Sequence, residues 1–103
     1  MLTVEWTEPA LEDLEMIHDY VALRSKKSAN RLYHALLGGS EILQTSPEAG
    51  KLEPGLPDYR FLIVKRRYKL IYCIENDVAY IVAVWDCRQE PSGLYRRLAQ
   101  LNR

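Results

Sequence analysis

Cysteine, glycine and histidine are all scarce in this chain, and each scarcity removes an explanation. Two cysteines, Cys73 and Cys87, cannot build a disulfide scaffold. They lack CxxC spacing and have only His18 and His34 for company, so no zinc site is expected. The two histidines fall on different predicted helices and read as singletons rather than a catalytic pair. Ser40 and Ser92 have no visible His–Asp partners, which argues against a hydrolase triad. The five glycines form no phosphate-cradling loop. No cofactor is implied. No apolar run approaches the roughly 20 residues of a bilayer span, and the N-terminus shows no secretory leader. A cytoplasmic protein without a membrane partner is the expectation.

What is present is an ordinary globular mix. Of 103 residues, 48% are apolar and 27% charged, which suits one small domain over residues 1–103. Net charge is zero but unevenly spread. Residues 1–58 hold ten acidic and five basic side chains, and residues 59–103 hold nine basic and four acidic. The sequence pI near 6.7 is low for a dedicated nucleic-acid binder. On charge alone the favoured reading is that both halves simply carry solvated surface charge, although the C-terminal half can offer a basic face to an acidic or polyanionic partner.

Leu2, Val4 and Trp6 alternate with polar residues, which predicts a short strand. Thr7 stands where it would cap a helix, with Glu8-Pro9 suited to the first turn. Leu11, Leu14, Ile17 and Val21 recur at helical spacing, with acidic residues facing away. The helix is expected to fade near Arg24-Ser25. Ser25 or Ser28 is placed to cap a second helix carrying Leu32, Leu36 and Leu43 as far as Pro47. Gly38-Gly39 inside it implies either a close approach to the first helix or a break in the second. Residues 47–58 are turn-rich and read as a loop. Tyr59 to Lys65, Tyr68 to Glu75 and Val78 to Asp86 predict a three-stranded antiparallel meander, with turns at Arg66-Arg67 and Asn76-Asp77. Its strands are apolar on both faces, so both faces should be covered. Leu94, Leu98 and Leu101 fit a C-terminal helix after Pro91. The expected fold is α+β in the order β-α-α-β-β-β-α, a helical hairpin packed on a small antiparallel sheet.

Four stretches in this order carry a family resemblance. Trp6 to Tyr20 is similar to a family opening that contains the pattern A-x-x-DL-x-x-I-x-x-Y. Pro47 and Gly50 precede Leu56 and Arg60. Tyr68-Lys69-Leu70-Ile71-Tyr72 matches a Y-R/K-L/I-x-Y strand, and Val82 to Leu94 includes Asp86-Cys87-Arg88-Gln89-Glu90-Pro91. Together they resemble the RelE/ParE superfamily, the toxins of bacterial type II toxin–antitoxin (plasmid-stabilisation) modules.

The resemblance implies a cognate antitoxin as partner, with Leu23, Tyr33 and Leu37 as candidate contacts. It also implies one of two actions. The long hairpin is more like ParE, whose members inhibit an essential target such as DNA gyrase. Arg60, Lys65, Arg66, Arg67, Arg96 and Arg97 are then candidate target contacts. The alternative is a RelE-like, ribosome-dependent mRNA endoribonuclease. Lys69 and Arg88 fall near that family's phosphate-binding arginines and Tyr95 near its C-terminal tyrosine. Such chemistry must accept the 2′-OH proton, stabilise the phosphorane and protonate the leaving oxygen. A third reading is a degenerate member that binds its antitoxin without toxicity.

Overall fold

A computed structural model of the chain describes residues 1–101, without the side chain of Leu101. The expected place of Leu101 in an apolar stripe, and Arg103 of the basic half, lie outside the described residues. The element order is β1 (Thr3–Trp6), α1 (Glu8–Ala22), α2 (Lys26–Gly38), two 3-10 turns (Glu41–Gln44 and Pro47–Ala49), β2 (Lys51–Glu53), β3 (Leu56–Val64), β4 (Tyr68–Glu75), β5 (Val78–Asp86) and α3 (Ser92–Leu101). The five strands form one sheet in the order β1-β5-β4-β3-β2. β3, β4 and β5 are the expected antiparallel meander, and β1 joins it parallel to β5.

Alternation along the strands divides the core into two layers. Tyr68, Leu70 and Tyr72 of β4 and Ala79, Ile81 and Val84 of β5 meet the α1–α2 hairpin through Ala10, Leu14 and Leu36. Tyr59, Ile71, Val82 and Ala83 meet Leu94 and Leu98 of α3 on the opposite face. Full burial of each leucine contributes about 2 kcal/mol, which is how a ten-residue helix is held on the sheet. A bulge offsets the alternation in β5. Ile71 pairs with Ala83 but Tyr72 pairs with Ile81, so Val82 is the extra residue and both Val82 and Ala83 face α3.

Several boundaries differ from expectation, each for a local reason. The second helix stops at Gly38 and does not continue to Pro47. Gly39 touches the sheet rather than the first helix: a Cβ there would sit 2.7 Å from Val64 Cγ2. Ser25, not Ser28, caps α2, accepting from the Ser28 N–H at 3.1 Å. Thr7 occupies the N-cap position of α1, but its hydroxyl instead donates to the Ile81 carbonyl at 2.8 Å, tying the helix start to β5. Residues 47–58 are not all loop, because β2 forms within them and β3 begins at Leu56. The β3–β4 turn is centred on Lys65-Arg66, both left-handed, rather than Arg66-Arg67.

Candidate functional site

The segment between the 3-10 turns and β3 is shaped by one buried tyrosine. Tyr72 donates its hydroxyl proton to the Pro47 carbonyl at 2.6 Å and accepts from the Gly50 N–H at 3.0 Å. Arg60, directly across the ladder from Tyr72, donates to the Gly50 carbonyl at 2.8 Å. A Cβ on Gly50 would lie 2.6 Å from the Tyr72 hydroxyl and 2.7 Å from the Phe61 carbonyl, so only glycine fits. This packing starts β2 and carries Glu53 under the sheet.

Glu53 is the centre of a polar cluster on the α3 side. Its carboxylate is fully buried and receives the Lys69 ammonium at 3.2 and 3.0 Å. Tyr95 of α3 donates its hydroxyl proton to the same carboxylate at 3.0 Å. That bond holds the proton on Tyr95 and raises its pKa above the usual phenol value. The Lys69 ammonium also stands 4.2 Å over the Phe61 ring. Lys69 and Tyr95, two of the three residues of the nuclease reading, meet at this carboxylate, which lies between them.

Arg60 and Lys69 lie on paired strands but are not neighbours. The register sets Ile63 opposite Lys69 and Arg60 opposite Tyr72, and alternation sends Arg60 to the other face. Arg88 makes its side-chain contacts at Asp86, donating at 3.4 and 3.3 Å, and Arg67 donates to the same carboxylate at 3.1 and 2.9 Å. Asp86 thus fixes two arginines next to the exposed Lys65 and Arg66. Arg96 is exposed on α3.

Arg97 is engaged at the open edge of β5. Beyond Ile81 that strand has no β1 partner. Asp13 of α1 accepts the Val84 N–H at 2.9 Å and the two Arg97 nitrogens at 2.9 and 2.7 Å. Arg97 also donates to the Val82 carbonyl at 3.0 Å. The paired carboxylate raises the arginine's pKa further.

A groove of about 820 Å³ runs beside this edge. Met16, Ile17 and Tyr20 of α1 form one wall, and Trp85, Arg67 and Arg88 line the other. Met16 and Tyr20 are largely exposed and Leu23 is 84% exposed, so α1 carries an apolar stripe at helical spacing. Tyr33 and Leu37 are half-buried against the Leu14–Leu36 cluster.

Glu53 and Asp13 were not among the candidate site residues. Glu53 lay in a stretch read as loop, with no periodicity to assign it a face. Asp13 stood in the A-x-x-DL pattern of the family resemblance, but its spacing alone placed it with the acidic residues that face away from the helix's apolar stripe.

Among the described residues, no group of three His, Cys, Asp or Glu side chains is placed to hold a metal. No helix there is long and apolar enough to cross a membrane.

Three comparisons bear on this arrangement. The family described as "ParE toxin of type II toxin-antitoxin system, parDE" matches residues 4–91. Toxin RelE2 of Caulobacter vibrioides is 32% identical over 84 residues, covering 82% of this chain and 93% of that protein. A solved structure described as a chromosomal ParDE TA system from P. aeruginosa has a chain that superposes with a TM-score of 0.73. The match covers 84% of this chain and 96% of that one, and at 24% identity it speaks to the fold alone.

Proposed function

The chain belongs to the ParE toxin family of type II toxin–antitoxin systems, and on that premise we propose that it arrests growth by binding an essential target protein of the DNA gyrase kind rather than by cutting RNA. One observation carries the choice. RNA cleavage would need Lys69 or Tyr95 free to meet a phosphate or pass a proton, and the buried Glu53 carboxylate holds both. A phosphate placed at Lys69 would have to displace the Glu53 carboxylate that already pairs with it, and the Tyr95 hydroxyl is engaged as a donor to the same carboxylate, which holds its proton. Arg88, the third candidate of the nuclease reading, is bound to Asp86 instead.

A cognate antitoxin is proposed to silence the protein by covering the apolar stripe of α1 and its groove. Leu23 is the most exposed of the expected contacts. Tyr33 and Leu37 would contribute only their open edges. The neighbouring Arg67 and Arg88 would favour a segment that alternates apolar and acidic residues.

The test is induction without antitoxin. We expect growth arrest with no new mRNA 5′-ends, and loss of supercoiling when the purified protein is added to gyrase. Translation-dependent ends that disappear in Lys69→Ala/Arg88→Ala would establish the nuclease reading instead. Normal growth with soluble protein present would leave an antitoxin-binding module without toxicity.

A further inference from the structure

The two hairpin turns of the meander have the same backbone and opposite chemistry. Asn76 and Asp77 lie at φ of 51° and 62°, and Lys65 and Arg66 at 56° and 59°. The Arg67 N–H closes the second turn on the Val64 carbonyl at 3.2 Å. Two consecutive left-handed residues make a turn that favours Asn, Asp and Gly and disfavours long side chains. The β4–β5 turn follows that preference and the β3–β4 turn does not. Folding therefore gives no reason for Lys65-Arg66. Both side chains are exposed, and no ion pair engages either among the described residues.

Behind this turn Asp86 holds Arg67 and Arg88, each through two nitrogens. Its side chain is 14% exposed, while those of Arg67 and Arg88 are 33% and 65% exposed. One largely sheltered carboxylate thus orients two guanidinium groups, and the remaining donors face solvent beside two unpaired cations. Four positive charges share one negative one. Oriented guanidinium forks suit phosphate oxygens in particular.

We propose that this corner, Lys65, Arg66, Arg67 and Arg88, binds the phosphodiester backbone of nucleic acid. Backbone contacts need exposed donors and no base-reading groove, which is what a turn tip offers. The chain's overall neutrality keeps the attraction local to the corner. The proposal stands whether or not the target is gyrase, and because Arg67 and Arg88 also line the groove, a bound antitoxin would compete with nucleic acid for them while Lys65 and Arg66 stay outside it.

The test measures binding of the full chain to a labelled DNA duplex, the RNA duplex of the same sequence, and a poly-glutamate peptide across a salt series. The key variant is Lys65→Asn/Arg66→Gly, which gives the turn its preferred residues while removing two charges. We expect log Kobs to fall with log salt at a slope of about −3 for the native chain and about −1 for the variant. The variant's Tm should rise by about 4 °C, so binding and stability move in opposite directions. Arg88→Gln, with the turn intact, should reduce the slope by about 1. Equal binding of both duplexes supports a backbone site, and preference for one assigns its natural source. Absence of duplex binding at low salt, or an unchanged slope in both variants, overturns the proposal. So does poly-glutamate binding that matches the duplexes and is lost in the same variants, because the partner would then be an acidic protein.

Discussion

Asp13 and Arg97 lie 84 positions apart and meet fork to fork, with N···O distances of 2.9 and 2.7 Å, across the edge of β5. The pair does three things at once. It joins α1 on one face of the sheet to α3 on the other. It satisfies the Val84 N–H and the Val82 carbonyl where β1 has already ended. It also closes a strand edge that would otherwise be open to pairing with another chain.

Removing one partner should therefore cost more than a surface ion pair. Asp13→Ala or Arg97→Ala leaves a sheltered charge alone and a backbone group unsatisfied, a loss of about 2 kcal/mol. A urea midpoint shift of that size, with coupling in the double-mutant cycle, is the expected result. A shift near zero would show the pair to be a dispensable surface contact.

Glu53 should behave as a buried counter-ion. Glu53→Gln leaves the Lys69 ammonium without its charge partner and is expected to cost about 3 kcal/mol. Glu53→Met combined with Lys69→Met should recover most of that loss, since no charge then remains buried. Chemical denaturation of the two variants checks this. Recovery absent in the double variant would mean that the Tyr95 bond, not the ion pair, dominates the cluster.

Two glycines should respond oppositely to alanine. At Gly50 the added methyl meets the Tyr72 hydroxyl and the Phe61 carbonyl, so Gly50→Ala should cost about 2 kcal/mol. At Gly38, the last residue of α2, nothing lies within 4 Å of the new Cβ. Gly38→Ala should stabilise by up to about 0.5 kcal/mol through lower unfolded-state entropy. Thermal melts of both variants make the comparison.

His18 links the two helices of the hairpin and should give stability a mild pH dependence. One ring nitrogen lies 2.8 Å from Asn30 Oδ1 and the other 3.2 Å from Asp19. The hydrogen bond to Asn30, then that to Asp19, raises the imidazole pKa above its ordinary value. The charged form is favoured in the folded state, so its contribution is complete below the unfolded pKa of about 6.5 and is lost as pH rises through the higher folded value. Melting temperature should fall between about pH 6 and pH 8 in the native chain, and this decline should be smaller in His18→Gln.

The elements that sequence located best have strong local periodicity. Leu11 to Val21 repeat at helical spacing and form α1, and Tyr68 to Asp86 carry strand composition around an Asn-Asp turn and form β4 and β5. The segment 47–58 has neither property. Its path follows from Tyr72, more than twenty positions later, and no local pattern in the segment announces that contact. Glu53 was missed for the same reason.

The sequence by itself determined the order of the elements other than β2 and the two 3-10 turns, the two-sided core and the family, because these rest on periodicity and on motifs read within short windows. Only the tertiary structure decided what the charged residues do. The register of β3 on β4 sends Arg60 away from Lys69, and the packing of Gly50 brings Glu53 to Lys69 and Tyr95. The early end of β1 leaves the edge that Asp13 and Arg97 close. A charge acts through what lies within a few ångströms of it, and in this chain those neighbours come from positions far apart in the sequence.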